Sequence, residues 1–365
     1  MRILFVLENH YPNIGGVETL FKNLTEALVT EGLQVTVVTN QYDKSLKRKE
    51  TINNVHIIRL PLVNRYLFTF LAFIPLLSYA RKHDIIHTTS YNAGVPAYIA
   101  GLLTGTKTII TFHEVWDRLW FKLPYANKLS LTLFYLFEKF LLLLPFSHYI
   151  AVSDSTRSAL VKAGIKESEI TKIYNGIDYS KFKNIELPDS KSEQYKFIYY
   201  GRLGISKGLD LLLDGVHQLS HSNKSFILNL VIPKTPASFY NKIIKEIEKL
   251  NIKKHIKVYS HLTYSELQSL IQSSDAVVIP SYSEGFCFSA VEAMALNIPI
   301  IHSGRGALSE VVSGPQLKMK KLDTSSLMDC MTEAMAANWN TLPKKQFHLT
   351  ESVDAYLEFY KNINA

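Results

Sequence analysis

The chain has 365 residues, 47% hydrophobic and 20% charged, with 40 Lys and Arg against 32 Asp and Glu for a formal charge of +8. That balance excludes a disordered chain, and the length exceeds what one ordinary core supports, so two domains are expected. The positive excess is spread over both halves, which suits anionic small molecules or an anionic membrane surface and gives no basic tail for nucleic acid, while two lone cysteines, Cys287 and Cys330, exclude a disulfide framework and a zinc site.

The opening run MRILFVLENHYP reads as a first strand; its apolar stretch is too short for a secretory leader and no small-residue cleavage site follows. A reducing, cytoplasmic compartment is expected, with peripheral contact at the membrane face left open. Further strands are expected at residues 34–39, 55–60, 84–88, 107–112, 148–152 and 170–174. Helical patterns intervene, as at 17–30, where Leu20, Leu24, Ala27 and Leu28 share one face. Two apolar stretches, 67–80 and 129–146, approach membrane length. The first is short and the second carries Glu138 and Lys139 in mid-run, whereas a spanning helix needs about 20 apolar residues, so neither should cross a bilayer. Their aromatics and flanking Arg and Lys fit either core helices or segments lying in a lipid interface.

Residues 175–194 are polar and turn-rich and read as a linker. Strands at 197–200, 227–231, 256–259, 276–279 and 299–302 then alternate with helices at 209–219, 241–250 and 265–273, and a helix is expected at 350–363. This is the rhythm of parallel sheets covered by helices on both faces. The expected architecture is α/β, with Rossmann-like doubly wound domains at 1–185 and 186–345 facing a central cleft, and a segment 346–365 free to cross back to the first domain.

In such sheets ligands bind beyond the carboxyl ends of the strands, where helix N-termini offer unpaired N–H groups. Four features fall in these strand-to-helix loops. Gly15 and Gly16 let backbone approach a phosphate, although a turn that starts a helix also explains them. Arg202 and Lys207, on the loop after strand 197–200, could clamp a diphosphate, or simply be solvated cations. His113 ends strand 107–112 and could bond a sugar hydroxyl, or be structural like His87. Glu284 and Glu292 flank a Gly-Phe turn and could hold pairs of hydroxyls. Ser289 and Glu292 also match a capping box, a structural reason for Glu292, while Glu284 has none.

With these residues in place, the chain resembles glycosyltransferase family 4, the retaining transferases of GT-B fold. The resemblance rests on Glu284 and Glu292 at E-x7-E spacing and on GGVE (15–18), TFHE (111–114), AVSDSTRSAL (151–160), YNGID (174–178) and GRLGISKGLDLLL (201–213), in order along the chain. It implies that Arg202 and Lys207 bind the donor's diphosphate, aided by backbone at Gly15, Gly16, Phe288 and Ser289. It implies that Glu284, with the Gly285, Phe286 and Cys287 backbone, holds the donor sugar, that Glu292 holds the ribose, and that His113 contacts the sugar. The implied reaction moves a hexose-type sugar from a nucleotide diphosphate to a glycan or lipid-linked acceptor, in cell-surface polysaccharide or glycolipid synthesis. No cofactor is implied, and no Asp-x-Asp triplet is present to bind a metal. The chain departs from the family at Cys287 and Phe288, at Asn297, where glycine is common, and at HSGRGALSE (302–310). A nucleotide-sugar epimerase of the same fold and a non-enzymatic sugar-binding protein are the alternatives.

Overall fold

A computed structural model describes residues 1–13, 15–62, 64–182 and 194–364. Residues 183–193 of the expected linker, with the 185/186 boundary placed in it, lie outside them. The chain forms two compact units, the first comprising Met1–Phe121, Lys128–Gly176 and His348–Ala365, the second Lys122–Asn127 and Ile177–Phe347.

The first unit holds strands β1 (Arg2–Leu7), β2 (Gln34–Asn40), β3 (Lys49–Ile52), β4 (Val55–Leu60), β5 (Ile85–Thr89), β6 (Lys107–Phe112), β7 (His148–Ala151) and β8 (Ile170–Lys172). They form one sheet in the order β3-β4-β2-β1-β5-β6-β7-β8, parallel except for β3, which runs antiparallel to β4 at the edge. β1 is buried from Ile3 to Leu7, as an unbroken apolar run covered on both faces should be. β3 is a polar edge strand with no apolar alternation, so no sequence pattern marks it.

Helices α1 (Gly16–Thr30), α2 (Arg65–Leu71), α3 (Phe73–Ala80), α4 (Gly94–Thr104), α5 (Lys128–Leu143) and α6 (Asp154–Lys162) complete this part of the chain. α2, α3 and α4 share one apolar cluster with Leu4, Val6 and Ile86, and α4 and α5 share the next with Ile110 and Phe112. These strand residues lie on one face of the sheet by register, so α2 to α5 cover that face side by side.

The second unit holds β9 (Tyr195–Tyr200), β10 (Phe226–Val231), β11 (Ile256–Tyr259), β12 (Ala276–Ile279), β13 (Ile300–His302), β14 (Gly314–Lys318) and β15 (Asn340–Leu342), in the order β11-β10-β9-β12-β13-β14-β15. Among these described strands only β15 is antiparallel. The helices are α7 (Leu209–Ser220), α8 (Ala237–Lys249), α9 (Tyr264–Gln272), α10 (Phe288–Ala295), α11 (Leu308–Val311) and α12 (Thr324–Met335). α8 begins four residues before the helix expected at 241, directly after Pro236, whose fixed φ suits a helix start. α12, capped by the Asp323 side chain, packs Leu327 against Gly215 of α7 and belongs to this unit's core. The strands and helices expected from the sequence do not include β14, β15 or α12.

The last helix, α13 (Leu349–Asn364), is part of the first unit. The chain passes so close at Gly176 that a Cβ there would sit 2.4 Å from the His348 carbonyl oxygen. Tyr356 and Tyr360 are fully buried, and the Tyr360 hydroxyl bonds His87, whose other ring nitrogen bonds Thr111 at 2.7 Å. His87 is thus a core histidine, held neutral because burial drives its pKa down to about 3.

Both sheets have a switch point. The chain leaves β1 toward β2 and returns on the other side at β5, and it leaves β9 toward β10 and returns at β12. The loops after β9 and β12 are therefore neighbours, although about 77 residues separate them.

Candidate active site

In the second unit the loops after β9 and β12 are locked together by backbone. Gly208 has φ +67, and a Cβ there would lie 2.1 Å from the Pro280 carbonyl oxygen, so only glycine lets the loops pass at this spacing. The Tyr282 N–H donates to the Ser206 carbonyl at 2.7 Å. Lys207, one residue before Gly208, is thereby aimed at Glu284. Its Nζ lies 2.8 Å from Oε1 and 2.9 Å from Oε2, and the Ser281 hydroxyl donates to Oε1 at 2.7 Å. Glu284 is 7% exposed.

A third loop completes the seat. The Ala307 N–H donates to the Glu284 carbonyl at 2.7 Å, and Gly306 (φ +59) leaves room for that carbonyl, which a Cβ would approach to 2.2 Å. The HSGRGALSE loop, a departure from the family pattern, therefore supplies the glycine that lies against Glu284.

Helices α7 and α10 begin at this same end of the sheet. Neither has a side-chain cap, so both present backbone N–H groups and positive dipole ends to the same region. A built site of this kind, two uncapped helix starts around a lysine, favours an anion. Arg202 is exposed on the loop after β9.

The capping box expected from Ser289 and Glu292 does not form. α10 starts at Phe288, and its cap position is Cys287, held at φ +76, so Ser289 already lies inside the helix. Cys287 is buried, which pushes its thiol up to about 12, and its sulfur rests 3.3 Å from the Ser289 hydroxyl. Glu292 lies one turn further on, beside Tyr200, whose hydroxyl donates to the Ser289 carbonyl at 2.6 Å. Burial pushes the Glu292 carboxyl up to about 7, with hydrogen bonding from Tyr200 pulling the other way. Gly285 and Phe286 are buried between the two acids, and the Phe286 and Phe288 rings meet edge to face at 5.3 Å. Asn297, where the family often has glycine, follows α10 at φ +59, a conformation asparagine tolerates better than most residues.

In the first unit, Gly15 caps α1 without a side-chain bond. The space a side chain would take there is filled by Glu18, whose Oε2 would lie 2.2 Å from a Cβ at Gly15. Gly16 is the first residue of α1. His113 follows the end of β6, partly buried, with its ring edge-on to Phe21 at 6.1 Å.

Sequence reasoning missed the residues that hold these groups. Ser281 and Tyr200 are ordinary strand-end residues without spacing to mark them. Glu138, fully buried on α5, accepts from the Trp116 and Asp117 N–H groups at 2.9 and 2.7 Å, from Tyr91 at 3.2 Å and from the Trp120 indole at 3.3 Å. It fastens the segment that follows His113. Burial raises its pKa while these four donors oppose the rise. A signal for it does exist in the sequence, an acid inside an otherwise apolar helix. Among the described residues no three His, Cys, Asp or Glu side chains gather closely enough to hold a metal ion.

Two family models match the chain in succession, Glycosyltransferase Family 4 over residues 14–181 and Glycosyl transferases group 1 over residues 180–316. A human (Homo sapiens) relative, one of the subunits of phosphatidylinositol N-acetylglucosaminyltransferase, is 23% identical over 346 residues, covering 91% of this chain and 68% of that one. The O-antigen biosynthesis glycosyltransferase WbnH of Escherichia coli is 25% identical over 312 residues, covering 85% and 84%. The solved sucrose-phosphate synthase from Thermosynechococcus elongatus superposes with a TM-score of 0.83 at 20% identity, covering 99% and 98% of the two chains.

Proposed function

Because the chain is a glycosyltransferase of the GT-B-fold superfamily, acting on nucleotide-sugar donors, we propose that it is a retaining family 4 enzyme that moves a hexose-type sugar to a glycan or lipid-linked acceptor in surface polysaccharide or glycolipid synthesis. The observation that carries this reading is the Lys207–Glu284 pair, seated between two uncapped helix starts at the switch point of the second sheet.

Before donor binds, each member of the pair neutralises the other. On binding, the diphosphate takes the lysine and helix amides as partners, with Arg202 as the second cation, and the Glu284 carboxylate turns to the hydroxyls of the sugar. Glu292 accepts from the ribose hydroxyls. Charge grows on the leaving diphosphate as the glycosidic bond breaks. Lys207, Arg202 and the helix dipoles stabilise that charge, and each such donor is worth roughly 3 kcal/mol of barrier. Retention follows if the acceptor hydroxyl attacks the face the diphosphate leaves and gives its proton to a leaving-group oxygen. The names of the two relatives, one a subunit of phosphatidylinositol N-acetylglucosaminyltransferase and one an O-antigen biosynthesis glycosyltransferase, support a lipid or glycan acceptor.

A thermal-shift panel of UDP-, GDP- and ADP-sugars tests the donor site, since a ligand at 100 times its Kd stabilises by about 2.7 kcal/mol. One nucleotide should raise the melting temperature of the native chain and not of Lys207→Ala. A panel with no shift would remove the reading.

A further inference from the structure

We propose that the outer face of α2, α3, α4 and α5 docks on an anionic lipid bilayer. The inner sides of these helices already fill the core of the first unit through Phe68, Leu76, Ala97, Ala100 and Leu141. Their outer sides are nevertheless apolar. Phe70 is 63% exposed, Ile74 56%, Leu102 67%, Leu133 58%, Leu136 54% and Leu143 80%. In the second unit the large hydrophobic side chains exposed among the described residues are only Tyr264 and Leu342, so the surplus is concentrated on this one face. A contiguous apolar surface of this kind marks a docking site.

The charge pattern selects the occupant. Across the four helices the charged residues are Arg65, Lys128, Glu138 and Lys139. Glu138 is fully buried and turned inward to its four donors, so every charge these helices show to solvent is positive. Asp117, on the adjoining segment, is paired with Lys139 at 2.7 Å. A partner protein with an apolar patch would usually carry unpaired charges of both signs at the rim. Here the two neighbouring acids, Asp117 and Glu8, are paired with Lys139 and Arg65 respectively, and Lys128 with Arg118 and Lys122 of the adjoining segment leaves the border net positive, which matches acyl chains beneath anionic headgroups. Among the described residues no helix is long and apolar enough to cross a membrane, so the helices would lie in the interface. Arg65 also reaches back to Glu8, just past the carboxyl end of β1, at 3.0 Å, which joins the docking face to the ligand end of the first sheet. A lipid-linked acceptor held in the bilayer would thus be presented beside that end.

Docking needs no sugar nucleotide, so it is testable apart from the transferase reading. The full chain is floated with phosphatidylcholine vesicles, with and without phosphatidylglycerol, alongside Phe70→Ser/Ile74→Ser, Leu133→Ser/Leu136→Ser and Arg65→Gln/Lys128→Gln variants, each checked by its melting curve. The native chain should float with the anionic vesicles, both serine variants should lose at least about tenfold in partitioning, and the glutamine variant should lose the preference for phosphatidylglycerol. Failure of the native chain to float, equal flotation with neutral vesicles, or serine variants that bind as the native chain does would overturn the proposal. So would light scattering that shows a native dimer, split by the serine substitutions, in place of vesicle binding.

Discussion

Replacing Lys207 with methionine separates what the Lys207–Glu284 pair does for the fold from what it does for transfer. Glu284 is 7% exposed and accepts three hydrogen bonds, two of them from Lys207. Methionine fills the stem of the lysine but leaves the carboxylate with the Ser281 hydroxyl alone. Breaking a fully buried pair costs about 3–5 kcal/mol. The Lys207 side chain is 23% exposed, so water reaches the site and the cost falls to about 2 kcal/mol. In a unit of this size that lowers the melting temperature by roughly 4–8 °C. The double variant Lys207→Met/Glu284→Gln removes the stranded charge, and it should recover most of the lost stability while remaining roughly a hundredfold slow in transfer. Calorimetry and donor turnover on the three proteins give both numbers. If Lys207→Met melts with the native chain, or the double variant melts no higher than the single one, the buried charge is not what the lysine compensates and the account of the pair fails.

Two other substitutions probe groups whose protonation or bonding is set by burial. Glu292 is raised from 4.5 to about 7, so it holds its proton more tightly folded than unfolded; the stability this contributes is complete below pH 4.5 and is lost as pH rises to about 7. The native chain should therefore lose melting temperature relative to Glu292→Gln across that window, and a difference independent of pH would contradict a raised pKa at this acid. Glu138→Gln turns an amide N–H toward donors that need an acceptor, at a cost of about 1–3 kcal/mol. Tryptophan emission should shift to the red as the stacked Trp116 and Trp120 rings, 4.8 Å apart, loosen; unchanged emission and stability would show that the segment is held by other contacts.

The alternation of β-branched runs with amphipathic helices is enough to read two doubly wound sheets, because the periods of 2 and 3.6 residues are written locally in the chain. The loops that carry Gly15, Gly16, His113, Arg202, Lys207 and Glu284 are legible for the same reason, since each follows a recognisable strand. Short or polar elements are not. β3, β14 and β15 lack an alternating apolar pattern, and their place is set by the neighbouring strand's free edge.

The capping box is absent because a tertiary contact overrides the local spacing of Ser289 and Glu292. Cys287, held at positive φ with its side chain buried, sets the start of α10 at Phe288, and Glu292 turns to Tyr200 instead.

The sequence by itself determined which residue types stand at the ends of which strands, and so which chemistry the loops could carry. Only the tertiary structure decided that Lys207 and Glu284 bond each other, that Gly306 seats the glutamate, that α13 closes over His87, and that the apolar helices keep a second apolar side outside the core. Each of these depends on strand order across a switch point or on packing between segments far apart in the chain. Such distances leave no period for a sequence to show.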